Sequence, residues 1–218
     1  MLPFTLPSTA GRDEPLIVLA VAAHPDDLEI GCAGTLLQLL QADREVQVHW
    51  LVASGTTERA AEARASATQL LGSSAAQLVI WDYPDGYLPA HWTELKRGLS
   101  DVVRAAAPDL VFCPAGHDAH QDHRVMNELV WQSARRTTIL EYEIPKWEAD
   151  LVPTNLYVPL TQATAAGKVD LLFSSFVSQL DKPWFQADLF WGLMRLRGVE
   201  CASSFAEAFH CRKVVLAT

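Results

Sequence analysis

The sequence predicts an α/β protein with three layers, αβα, around a mostly parallel central sheet. Three observations carry this. Leu16–Ala23 is an unbroken apolar run, the pattern of a strand buried on both faces. Strand-like and helix-like segments alternate four times between residues 16 and 134, joined by short links. Half of the 218 residues are hydrophobic, enough to fill a sizeable core.

The elements follow in order. After the first strand, residues 24–33 are punctuated by glycine and read as a helix entry, with the helix proper from Gly34 to Leu40. Val46–Ala53 alternates and is β-branched, a second strand. Glu58–Leu71 is rich in Ala, Glu and Arg and stops at Gly72, as helices commonly do. Gln77–Trp81 is a third strand, and Tyr83-Pro-Asp-Gly86 a turn. Thr93–Ala107 is a helix ended by Pro108, Asp109–Cys113 a fourth strand, and His123–Ala134 a helix. Beyond Arg136 the rhythm loosens. Thr138–Ile144 reads as a strand, 161–180 and 184–196 as helical, and Lys213–Ala217 as a last strand. No repeat or linker divides the chain, so one domain, 1–218, is expected. Residues 1–14 form a loosely held arm and 136–218 a less regular C-terminal part.

Seventeen Lys and Arg against 26 Asp and Glu leave a net charge of −9. That excludes a general binder of nucleic acid or anionic membrane, whose footprint is basic. No apolar run reaches the length of a membrane span. The N-terminus lacks a basic region followed by an apolar one, so no signal peptide is expected and the cytoplasm is the expected location. Cys32, Cys113, Cys201 and Cys211 show no C-x-x-C pair and read as reduced, buried thiols. A homo-oligomer is compatible with this composition.

The chemistry concentrates at two strand exits. In open parallel sheets the ligand site lies beyond the carboxyl ends of the strands. His24-Pro-Asp-Asp27 follows the first strand directly, and Pro25 ends the strand there. The turn can present His24 and Asp27 on one side, with Asp26 pointing elsewhere. After the fourth strand, His117, Asp118, His120, Asp122 and His123 fall within seven residues. Two histidines and a carboxylate form the ligand set of many catalytic zinc sites. Each cluster also has a plain reading: Asp26 or Asp27 as a helix cap, and residues 117–123 as a polar surface loop. Their coincidence at corresponding strand ends favours a metal site. His49, His91 and His210 read as ordinary surface or core histidines.

Ala23-His-Pro-Asp-Asp-x-Glu-Ile-Gly-Cys-x-Gly-Thr35, followed by His120-x-Asp-His123, resembles the PIG-L/LmbE-like zinc-dependent N-deacetylases. The resemblance implies a Rossmann-like sheet with the metal site at the C-terminal ends of its strands. It implies removal of an acetyl group from an N-acetylglucosamine-type sugar or a related small molecule. It matches His24, Asp27 and His123 to the ligands of one Zn²⁺ per chain, and Asp26 to the general base. His120 matches the residue that stabilises the oxyanion or protonates the leaving amine, and Asp122 the residue that orients His120. An arginine early in the helix after the second strand is expected near the acyl group. Arg59 and Arg64 both fit, and the register does not choose between them. Glu29 could hold the metal turn or touch substrate. Arg124 and Lys146 are further cations near the expected site.

Three other readings compete. The same residues could serve a metal hydrolase of another small amide or ester. Gly31-x-x-Gly34 at a helix start suggests a non-catalytic nucleotide- or sugar-binding module, though it lacks the full phosphate-loop patterns and leaves His120 and His123 unexplained. A Cys113 nucleophile would need activating neighbours, and its surroundings are apolar. The tryptophans and the Tyr83–Tyr87 loop could include sugar-stacking faces, with core packing the plainer role for any one of them.

Overall fold

A computed structural model describes residues 14–151 and 153–215. Five parallel strands come first in the chain: β1 (Leu16–Ala22), β2 (Val46–Ser54), β3 (Ala75–Tyr83), β4 (Leu110–Pro114) and β5 (Thr138–Tyr142). The sheet is completed by β6 (Leu156–Leu160) and β7 (Phe205–His210), with β7 antiparallel to both neighbours. All seven strands share one sheet in the order β3-β2-β1-β4-β5-β7-β6.

β1 shows why its sequence is apolar throughout. Leu16, Val18, Ala20 and Ala22 face one core, while Leu19, Val21 and Ala23 face the other. Period-two alternation sends successive side chains to opposite faces, and both faces are covered. Helices α1 (Asp27–Leu40), α2 (Thr57–Leu71), α5 (Gln162–Ser175) and α6 (Ala187–Glu200) cover the first face. α3 (Trp92–Ala106) and α4 (Gln121–Ser133) cover the second. The three-layer α/β fold expected from the sequence is the fold observed. No helix among the described residues is long and apolar enough to cross a membrane.

Three expectations need correction. α1 begins at Asp27, seven residues before Gly34, so the metal-type turn and the helix start are one feature. The C-terminal part is more regular than its sequence suggests: three strands and two helices follow Arg136. No strand occupies Lys213–Val215, while Leu216 and Ala217 lie outside the described residues; the last strand is β7 instead. The expected N-terminal arm lies outside the described residues except for Glu14.

Gly31 and Gly34 are packing positions. A Cβ on Gly31 would fall 2.3 Å from the Tyr142 ring, and one on Gly34 would fall 2.7 Å from Leu160. They let α1 lie close to β5 and β6, which accounts for the Gly-x-x-Gly pattern without a phosphate.

The sheet order reverses between β1 and β4, which run side by side. Both clusters named from the sequence leave the carboxyl ends of these two strands. That is the crevice where open α/β sheets bind ligands.

Candidate metal and active site

The β1–α1 turn is built around one carboxylate. Asp27 Oδ2 accepts the backbone amides of Ala23 at 3.0 Å and His24 at 2.8 Å. These bonds fix Asp27 and leave Oδ1 facing the His123 ring, 3.3 Å from its Nε2. Asp26 caps the helix in a left-handed conformation, φ 89°. That region is costly for a residue with a Cβ and recurs at functional sites. Here it turns the Asp26 side chain away from Asp27 and toward α2.

His24 Nδ1 and His123 Nε2 face one another at 3.1 Å. His24 Nδ1 lies 3.7 Å from Asp27 Oδ2. Three donor groups therefore converge. Zinc bonds of about 2.0–2.1 Å in a tetrahedron put neighbouring ligand atoms about 3.3 Å apart, and this set fits that spacing. A carboxylate stands behind each ring. His123 Nδ1 pairs with Asp118 Oδ2 at 2.6 Å, and His24 Nε2 with Asp122 Oδ2 at 3.1 Å and Asp85 Oδ1 at 3.0 Å. Metal-bound histidines are ordinarily held this way.

The electrostatics agree. Burial opposes charge on His24, yet hydrogen bonds from Asp122, Asp27 and Asp85 raise its pKa well above the usual value. His123 is likewise raised against burial, by Asp27 and Asp118. Burial pushes the Asp27 carboxyl up, but His123 and His24 outweigh it and hold it well below the usual range. The pocket is built to hold positive charge. His24, His120 and His123 also form a cluster that could hold an ion, as do His24, Asp85 and Asp122. The His24–Asp27–His123 set adds the backbone-anchored carboxylate and the supported rings, and it is the better metal seat.

Asp26 is different. Burial raises its pKa to about 7, with Arg59 opposing. Its Oδ2 is buried without a hydrogen-bond partner among the described residues. Arg59 Nη2 donates to Asp26 Oδ1 at 3.0 Å and to the Pro25 carbonyl at 2.6 Å. That decides between the two arginines. Arg59 lines the cavity, while Arg64 is exposed on the outer face of α2 and only its carbonyl is engaged, by Thr68. Arg64 is not placed to touch substrate.

Two further roles differ from those the resemblance implied. The Asp122 carboxylate does not reach the His120 ring. It accepts the amides of Gly86 at 2.7 Å and Leu88 at 3.1 Å, so it holds the 84–88 loop and His24. Its own backbone amide meets His120 Nδ1 at 3.2 Å, making His120 the cap of α4. Glu29 is fully buried and absent from the cavity wall, so it does not touch substrate. Burial raises its pKa to about 8, with Ser66 opposing.

His120 is half-buried, 4.8 Å from the His24 ring and 5.0 Å from the His123 ring between centroids. Burial and these two rings lower its pKa. Lys146 Nζ bonds to Asp118 at 3.1 and 3.2 Å and lines the cavity. Arg124 is turned to the carbonyls of Asp118 and Ala119 and is not part of the wall. The cavity holds about 290 Å³. Sequence reasoning missed Asp85, which lies in the Tyr-Pro-Asp-Gly-Tyr turn, and the support of His123 by Asp118. The five-residue spacing from Asp118 to His123 across a helix start was the available signal.

A family model described as PIG-L, GlcNAc-PI de-N-acetylase, matches residues 19–134. The chain belongs to the PIG-L family. The matched span runs from β1 through α4 and contains all the residues above except Lys146. Among relatives of this PIG-L protein, the uncharacterized deacetylase YaiS of Escherichia coli (strain K12) is 26% identical over 147 residues, 62% of this chain and 78% of the relative. N,N'-diacetylchitobiose deacetylase from Pyrococcus horikoshii superposes with a TM-score of 0.72 at 22% identity, over 89% of this chain and 82% of that one. GalB, a 4-carboxy-2-hydroxymuconate hydratase from Pseudomonas putida KT2440, superposes with a TM-score of 0.74 at 16% identity, over 92% and 98%. The two structural likenesses establish the fold of this PIG-L protein. Because that fold serves both a deacetylase and a hydratase, the reaction must be argued from the site.

The rival readings lose ground here. Cys113 is fully buried, and burial pushes its thiol well up, the opposite of an activated nucleophile. His49 pairs with Gln77, His91 packs on Tyr83 and His210 on His117, all away from the cavity wall.

Proposed function

We propose that this protein hydrolyses the acetamide of a small N-acetylated sugar or sugar-like molecule, using one bound divalent ion, zinc, and releasing acetate and a free amine. One observation carries the reading: a His–His–carboxylate set converges beside a buried, unpartnered carboxylate oxygen on Asp26. His24, Asp27 and His123 are the residues that would hold the ion. Bound there, it would lower the pKa of a water and polarise the acyl oxygen.

The chain supplies the rest. Asp26 accepts the proton of the attacking water, and a base with a pKa near 7 suits that task at neutral pH. Arg59 fixes the carboxylate from behind and keeps it ionisable despite burial. His120 accepts an amide at Nδ1, so its neutral ring carries the proton on Nε2. That proton is offered to the oxygen that becomes negative as the carbonyl is attacked. The proton taken by Asp26 passes to the leaving nitrogen. Water is thus divided between the acetyl carbon, which receives OH, and the amine, which receives H.

Arg59 and Lys146 on the wall are already paired with Asp26 and Asp118. This favours an uncharged substrate over a nucleotide diphosphate. The test is acetate release from a panel of free N-acetyl sugars and UDP-linked ones, with zinc-loaded and chelator-stripped protein. Release from a free sugar, abolished by stripping and restored by zinc, is expected. Cleavage of esters or other amides with no N-acetyl sugar accepted would overturn the reading.

A further inference from the structure

We infer that the active-site cavity opens into a second binding site, for an uncharged sugar ring linked to the acetamido ring, with Trp147 and Trp184 as its platform. The inference rests on the deacetylase reading and names the size and charge of its substrate.

A groove of about 530 Å³ adjoins the catalytic cavity. The two share Lys146, Trp147 and Trp184, so they form one continuous cleft. The groove is built from residues 145–151 and 183–189. None of these lies in the family-matched span 19–134, so the groove belongs to the part of the chain beyond it. Trp147 is 68% exposed, whereas Trp50 is buried in the core at 1%. Trp184 is held edge-on by the Phe185 ring at 5.4 Å. One free indole and one braced indole therefore stand at the mouth of the catalytic cavity.

The rim decides what the platform is for. Asp150, Asp188 and Gln186 line the groove with the indoles. Asp150 Oδ2 accepts the Ala119 amide at 2.5 Å, tying the groove wall to the loop that carries His120. Gln186 precedes α6 without using its side chain as a cap. A pyranose has an apolar C–H face and a rim of hydroxyl donors. Indole faces suit the first, and carboxylate and amide oxygens suit the second. A diphosphate would meet two carboxylates and one lysine that Asp118 already holds. A hydrocarbon chain would bury those same polar groups without partners, which is costly.

The test compares kcat/KM for an N-acetylated monosaccharide and for the β-linked disaccharide built from it. In the wild type the disaccharide is the better substrate. Trp147→Ala lowers the disaccharide-to-monosaccharide ratio about tenfold, the size of a lost aromatic stacking contact. Trp147→Phe restores most of the ratio and Trp147→Leu does not, because a flat face is needed and not mere bulk. Saturation-transfer NMR on zinc-loaded Asp26→Asn with the disaccharide reads binding without turnover. The distal ring should be saturated, and Trp147→Ala in that background should abolish this. Acetate release with a ratio indifferent to Trp147 would overturn the second site alone. Distal-ring saturation without hydrolysis by the wild type would uphold it and sink the deacetylase reading. A Trp147-dependent preference for UDP-linked or long-chain N-acyl substrates would overturn the proposed occupant.

Discussion

Arg59 and Asp26 form the one arginine–carboxylate pair on the catalytic wall, with Nη2 3.0 Å from Oδ1, among the described residues. The Asp26 carboxyl is raised to about 7 by burial and lowered by this guanidinium. Removing the guanidinium raises it further. A base works only when ionised, so the acid limb of the kcat/KM profile of Arg59→Gln should move to higher pH. Arg64→Ala, on the outer face of α2, should leave the limb where it is. A limb that stays put in Arg59→Gln would separate Arg59 from the base.

Asp26→Asn should keep its metal and lose turnover by about 10²–10⁴-fold, the usual contribution of a general base. Asn tolerates the left-handed backbone that Asp26 adopts, so the turn should survive. Elemental analysis with steady-state kcat checks both halves. Near-normal acetate release would remove Asp26 from the reaction.

His24→Ala, Asp27→Ala and His123→Ala should each strip the ion, measured by elemental analysis after dialysis. Asp118→Asn is subtler. Its carboxylate holds His123 Nδ1 at 2.6 Å without joining the ligand set. Loss of such a supporting group typically weakens affinity about 10–100-fold, which chelator competition resolves. Full occupancy in all three alanine variants would unseat the ligand assignment.

The first four strands were legible because parallel strands buried on both faces must be apolar, and nothing else in the chain is so continuous. β6 and β7 hid for separate reasons. Pro159 demotes Leu156–Leu160 as a strand, yet β6 is an edge strand where proline is tolerated. Glu207 interrupts β7, and its partner Lys168, at 2.6 Å, lies on α5, so no local pattern reveals the pairing. The ligand-type residues could be read because each cluster follows a strand directly. Arg59 over Arg64, and Asp85 against His24, depend on how α2 and the 84–88 loop pack, which the sequence does not encode locally.

Gly31→Ala tests the close approach of α1 to β5. The new methyl would meet the Tyr142 ring at 2.3 Å, and that ring is buried and tethered by its hydroxyl, which donates to the Val21 carbonyl at 2.9 Å. Neither side can yield cheaply. Destabilisation of about 1–3 kcal/mol is expected, read as a lower denaturant midpoint at unchanged slope.

Glu29→Gln carries a prediction about pH. Glu29 is buried without contact to the cavity, and its Oε1 has no hydrogen-bond partner among the described residues. Burial raises its pKa from 4.5 to about 8. Below the unfolded value both states hold the proton, and the buried acid is stable. As pH rises from about 4.5 the unfolded chain ionises first, so folding stability declines until the folded group ionises near 8. Glutamine never ionises and removes this slope. The stability difference between Glu29→Gln and wild type should therefore shift in favour of the variant as pH rises from 4.5 to 8. The full shift is at most about 5 kcal/mol. Denaturant unfolding of both proteins at each pH, at equal metal load, cancels every titration they share. A difference that is flat with pH, or that grows in the opposite direction, would mean that Glu29 is charged in the fold and has a partner elsewhere.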